Sequence, residues 1–174
     1  MIPPRIFKLF FIGDKNVGRR TLLKEALKNV EYFPYDYTDT TGVDFYKKEL
    51  TIKGGKVILQ IWKVETDLLL KRNSNLFITG SHAVLLMYDL TNINTLENLT
   101  ELPRIIRQQT GEIPILLVGN KCDLIEERSI PTEQGNSFAQ INNLLGYIEI
   151  SAKTGLNCES IFKLLAESII DQIQ

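Results

Sequence analysis

The sequence predicts an α/β domain with a six-stranded, mostly parallel sheet and helices on both faces, and three observations point there. Short apolar runs alternate with segments of helical spacing along the chain. The first apolar run stops at a glycine and leads into a loop bounded by Gly13 and Gly18. Two polar motifs, Asn120-Lys121-Cys122-Asp123 and Ser151-Ala152-Lys153, each follow a later apolar run, so the chemistry gathers at the carboxyl ends of strands. With 174 residues the chain suits one domain, residues 1–174, able to bury a continuous core without disulfides or structural metal.

Arg5 to Ile12, RIFKLFFI, is nearly continuous in apolar residues, the pattern of a strand buried on both faces. After the loop, Leu22, Leu23, Ala26, Leu27 and Val30 recur at helical spacing, so a helix starts near Gly18. Val43 to Ile52 and Lys56 to Trp62 read as an antiparallel hairpin at one edge, joined across Lys53-Gly54-Gly55. Three further strands follow, at Ala83 to Leu90, Ile115 to Gly119 and Tyr147 to Ile150. Helical patterns lie near Thr95 to Gln109, where Pro103 should kink or shorten the helix, and near Thr132 to Asn142. Asn157 is placed to cap a last helix carrying Ile161, Leu164, Leu165, Ile169 and Ile173, about five helices in all.

Composition narrows the function by exclusion. Apolar content of 44%, charged content of 24% and a net charge of −1 are ordinary for a soluble globular protein and give no reason to expect nucleic acid. MIPPRIFK has no signal-peptide core, Ile2 stands where myristoylation needs glycine, and no apolar run nears the about 20 residues that span a bilayer. Cys122 and Cys158 have no metal or redox spacing and lie in no prenylation motif. The expectation is a cytoplasmic protein without an intrinsic membrane segment, peripheral to membranes only through partners or through an anchor beyond this sequence.

The loop Gly13 to Thr21, GDKNVGRRT, follows the phosphate-binding template GxxxxGK[ST] with two replacements. Gly13 and Gly18 are in place, but Arg19 stands where lysine reaches the phosphates and Arg20 where a hydroxyl ligates Mg²⁺. Asn16 tolerates the positive φ such a loop needs. Lys15 either adds charge for the phosphates or is a solvated surface lysine.

With NKCD after ILLVG and SAK after YIEI, the chain resembles the small GTPases of the Ras superfamily, nearest to the Rab branch, from about Arg5 to Ile173. The resemblance implies a P-loop NTPase fold and GTP or GDP as ligand. It implies that Asn120, Lys121, Asp123, Ser151, Ala152 and Lys153 form the guanine site, with the Asp123 carboxylate on the ring N–H and amine and the Ala152 N–H on the guanine oxygen. Phe33, seven residues before Thr40, stands either against the base edge or against the first helix. Phosphate contacts fall on Gly13, Lys15, Asn16, Val17, Gly18, Arg19, Arg20, Thr21, Thr40 and Lys63.

The same resemblance locates a loss. Where Rab proteins carry LQIWDTAGQE, this chain has LQIWKVETDL, Leu59 to Leu68. Lys63 replaces the aspartate that holds Mg²⁺ through water, Thr66 the glycine that meets the γ-phosphate, and Asp67 the glutamine that orients the attacking water. Arg20 and Lys63 are cations where Mg²⁺ wants oxygen ligands, so no metal site is expected. If they point inward, Arg19, Arg20 and Lys63 supply three positive charges to the phosphates; otherwise Arg19 or Arg20 turns to solvent and the loop is vestigial. Binding without Mg²⁺ and very slow or absent hydrolysis follow, Asp67 being a poor base beside a triphosphate.

Two alternatives stand beside this reading: a nucleotide-free scaffold, and a slow true GTPase completed by an unconventional site or a partner. His82, the only histidine, matches a structural position before a buried strand. Phe45, Trp62 and Phe77 match the aromatic triad that Rab proteins offer to effectors, or else pack the core. Leu68, Leu69 and Leu70 either pack inward or mark a surface for protein effectors or regulators.

Overall fold

The computed structural model describes residues 3–27, 43–71 and 75–173. Phe33 and Thr40, together with Val30, lie outside the described residues. Six strands form one sheet: β1 (Arg5–Gly13), β2 (Val43–Ile52), β3 (Gly55–Glu65), β4 (Ala83–Asp89), β5 (Ile115–Asn120) and β6 (Gly146–Glu149), in the order β2-β3-β1-β4-β5-β6. Only β2 with β3 pairs antiparallel; β1 pairs in parallel with β3 and β4, β4 with β5, and β5 with β6. The expected α/β sheet with one antiparallel edge strand is therefore present.

Among the described residues seven α-helices and one 3-10 turn (Ile125–Glu127) lie between and after the strands: α1 (Arg19–Ala26), α2 (Thr66–Lys71), α3 (Asn75–Ile78), α4 (Ile93–Glu97), α5 (Leu102–Thr110), α6 (Thr132–Ile141) and α7 (Cys158–Ile173). The apolar run of β1 shows why both sheet faces are covered. Leu9 and Phe11 point into a core shared with Leu22 and Leu23 of α1 and with Ile161, Leu165 and Ile169 of α7. Phe10 and Ile12, alternating with them, enter a second core with Leu96 of α4, Leu102 and Ile106 of α5 and Ala139 of α6.

Four sequence expectations need correction. The helix expected over Thr95 to Gln109 is two, α4 and α5, and Pro103 sits in the first turn of α5, where its missing N–H costs nothing. Asn157 takes φ 60° and its side-chain amide donates to the Glu149 carbonyl at 2.8 Å; it ties the Ser151 loop to β6, not the helix end to itself. The hairpin turn is two residues, Lys53 (φ 49°) and Gly54 (φ 77°), so Ile52 pairs directly with Gly55. With the shorter turn, β3 runs on past Trp62 to Glu65 and carries Lys63, Val64 and Glu65 as strand residues.

Candidate functional site

The site is built where β1, β3, β5 and β6 end on one side of the sheet. Gly13 closes β1, and a Cβ there would stand 2.7 Å from the Met87 carbonyl, so the loop lies against β4 as only glycine allows. Asn16 turns the chain at φ 64° and Gly18 precedes α1 at φ 101°. A side chain at Gly18 would meet the Asn120 amide at 2.2 Å. That close approach is the reason for the second glycine.

Asn120 ends β5 and is nearly fully buried. Its Nδ2 donates to the Val17 carbonyl at 2.8 Å, and its Oδ1 accepts the Ala152 N–H at 2.9 Å. One amide thus fastens the phosphate loop, the NKCD turn and the SAK turn to each other. The same bond commits the Ala152 N–H inside the protein, where the sequence assigned it to the guanine oxygen. Ser151, fully buried, donates its hydroxyl to Asp123 Oδ1 at 2.7 Å and accepts the Thr154 N–H at 3.1 Å. It orients the carboxylate that would read guanine. Lys121, at φ 70°, pairs its ammonium with Asp89 Oδ2, and Asp89 also holds Thr91 through its N–H and hydroxyl. Lys153 is exposed.

The phosphate side carries more charge than the motifs showed, and of both signs. Arg19 is 6% exposed; it donates to the Val64 carbonyl and its Nη2 lies 4.0 Å from Glu65 Oε1. Burial pulls its pKa down, while Glu65, Asp14 and Asp44 push it back up. Lys15 is exposed, with Nζ 3.7 Å from the other oxygen of Glu65. Val17 is fully buried, whereas Arg20 and Thr21 lie on the exposed face of α1.

Lys63 is paired with Asp44, its cross-strand partner, both side chains less than one-fifth exposed. Of the three cations, Arg19 is buried, Arg20 is exposed and Lys63 is paired with Asp44. Arg19 alone is buried at the loop, and two carboxylates absent from the sequence assignment, Asp44 and Glu65, answer Lys63, Arg19 and Lys15. Thr66 begins α2 with its hydroxyl buried and without a partner among the described residues. Asp67 beside it is exposed.

Phe45, Trp62 and Phe77 are each half-buried against the second core. Phe45 meets Trp62 edge-on at 4.7 Å between centroids. Lys8, whose part no motif signals, lies 3.9 Å over the Trp62 ring and donates to the carbonyls of Phe77 and Thr79. Leu69 is buried and Leu68 half-buried against the same core. His82 Nδ1 accepts the Lys8 N–H at 3.0 Å, and burial, then the Lys8 charge, lowers its pKa, which suits the structural part expected of it.

Asp44 was legible in principle. A two-residue turn pairs Lys63 with Asp44, while the three-residue connection first read from the sequence pairs it with Phe45 and turns every side chain to the opposite face. Asp89, Glu65 and Lys8 had no comparable signal, because each meets its partner across separate elements.

Comparison with known proteins agrees with this architecture. The Ras family model matches residues 8–171. A Ras-related protein Rab-1 of Theileria parva is 33% identical over 170 residues, covering 97% of this chain and 76% of the relative. A Ras-related protein Rab-19 of Homo sapiens is 32% identical over 166 residues, covering 95% and 76%. With its six-stranded sheet, its glycine loop and the NKCD and SAK turns tied to it by Asn120, the chain belongs to the Ras family and is a Rab-like small GTPase domain.

Proposed function

We propose that residues 1–174 form one guanine-nucleotide-binding domain that holds GTP or GDP with little or no need of Mg²⁺, hydrolyses GTP very slowly or not at all, and acts through protein contacts near β2, β3 and α2. The observation that carries the reading is Asn120, whose side chain joins the phosphate loop to the turns that carry the NKCD and SAK motifs. The residues fit the nucleotide. Gly13 and Gly18 leave the backbone bare where phosphates would lie, Ser151 presents the Asp123 carboxylate, and the buried guanidinium of Arg19 is a fork that suits phosphate oxygens.

The donor set does not fit Mg²⁺. Where the family supplies a hydroxyl and a carboxylate this chain has Arg20, which is exposed, and Lys63, which is paired with Asp44, so neither position offers the oxygen ligand that Mg²⁺ wants. Slow hydrolysis is supported by Asp67, a carboxylate in place of the water-orienting amide, which a triphosphate repels. Among the described residues no helix is long and apolar enough to cross a membrane.

The test is to heat-release whatever nucleotide accompanies the purified protein, identify it chromatographically, and repeat after EDTA. Guanine nucleotide recovered in both samples is the expected result. Recovery abolished by EDTA would remove metal independence, and no nucleotide in either sample would remove the binding reading. The second reading, a nucleotide-free scaffold, is favoured by one feature: Arg19, Lys63 and the Ala152 N–H all have partners within the protein.

A further inference from the structure

The two ends of the phosphate loop differ. The base-reading turns follow β5 and β6, on one side of β1, and β3 lies on the other side. Within the loop, Val17 is held by Asn120 and so faces the base side, while Lys15 reaches toward β3. A nucleotide with its base at Asp123 and its phosphates over Val17 to Arg19 therefore extends toward β3, and each added phosphoryl group carries it further. From β5 to β3 is three strand spacings, about 14 Å.

Glu65 stands at that far end, paired with Gly13 in the parallel ladder. Its carboxylate spans the cations there, one oxygen 4.0 Å from Arg19 Nη2 and the other 3.7 Å from Lys15 Nζ. Two cations facing one dianionic or monoanionic group is the arrangement a terminal phosphoryl group would make with the same side chains. We propose that Glu65 is an internal anion occupying the place of the third phosphoryl group, so that this site selects guanosine diphosphate over guanosine triphosphate.

The inference rests on the nucleotide-binding reading above and adds a preference to it. A diphosphate ends over the loop and leaves the Glu65 pairings intact. A triphosphate sets its last, most highly charged group against the carboxylate and must displace it from Arg19 and Lys15.

The test is titration of the nucleotide-stripped chain with GDP and with GTP in EDTA, for the unmodified protein, Glu65→Gln and Glu65→Asp, with thermal unfolding followed for each. GDP is expected to bind at least about tenfold tighter than GTP, a like-charge contact of this kind being worth that much. Glu65→Gln should raise GTP affinity about tenfold with GDP within about twofold, and Glu65→Asp should keep the preference. GTP binding as tightly as GDP to the unmodified protein, or a ratio untouched in Glu65→Gln, overturns the proposal while the binding reading stands. A fall in GTP affinity with GDP affinity unchanged in Thr66→Val would assign the terminal phosphate to the buried Thr66 hydroxyl instead and also overturns it. Neither nucleotide binding to any form, in EDTA or in Mg²⁺, removes the proposal and the binding reading together.

Discussion

The Lys63 ammonium lies against the Asp44 carboxylate across the β2–β3 ladder, both largely withdrawn from water, so a charge at a position that serves metal binding in the family is neutralised by the neighbouring strand. Asp44→Asn leaves a buried ammonium without its counter-charge and should cost about 3 kcal/mol of unfolding free energy in urea melts. The exchange Asp44→Lys with Lys63→Asp should recover more than half of that. Equal losses in the single and exchanged variants would show that packing, not the pair, accounts for the cost.

Ser151→Ala removes the hydroxyl that donates to Asp123 and accepts from Thr154. The Asp123 carboxylate loses its orientation, and guanine-nucleotide affinity should fall about tenfold, matching about 1–2 kcal/mol for one buried hydrogen-bonding group. Isothermal titration with GDP measures it, and affinity within twofold of the parent would remove Ser151 from base reading.

Gly18→Ala drives a methyl group into the Asn120 amide at 2.2 Å and forces a non-glycine residue to φ 101°. The backbone alone costs about 1–3 kcal/mol. Because the displaced group is Asn120, the melting temperature should drop and nucleotide binding should vanish together, whereas a loop independent of the base-reading turns would lose stability alone.

Acid should destabilise the protein partly through Glu149. Arg128, donating from both terminal nitrogens, holds its carboxyl below the usual range, against burial and with help from Tyr147 and Thr132. A lowered folded pKa means the stabilisation is complete above the ordinary value of about 4.3 and is lost as pH falls through the folded value. Glu149→Gln should thus be less stable at neutral pH and show a flatter acid limb. Glu49, lowered to about 2 between Lys47 and Lys56, is at the surface, so its share is screened and should disappear in high salt.

Trp62 is the only tryptophan, which makes its contact with Lys8 directly observable. Lys8→Met deletes the cation over the ring and the bonds to the Phe77 and Thr79 carbonyls, and should cost about 1–2 kcal/mol with a shift in tryptophan emission. Unchanged emission would mean that Phe45 and the core hold the ring without Lys8.

The fold was readable because it rests on local signals: the apolar run Arg5 to Ile12, the glycines at 13 and 18, and the motifs after β5 and β6. The NKCD and SAK motifs were visible for the same reason, being consecutive in the chain. Charges set by strand register and by helix direction were not. Lys63 looked like a phosphate ligand because its partner, Asp44, lies across a hairpin whose turn had to be counted correctly. Arg20 looked equivalent to Arg19, yet one helical step separates a buried guanidinium from an exposed one.

The reach of Asn120 also has a kinetic meaning. Its amide grips Val17, 103 positions earlier, and Ala152, 32 positions later, so the phosphate loop cannot take its final shape until β5 has docked. Contacts so distant along the chain form late, after the loop entropy between them has been lost. Competence to bind should therefore emerge in the last step of folding, well after the hairpin of β2 and β3, and a refolding time course should show ligand capture lagging secondary structure.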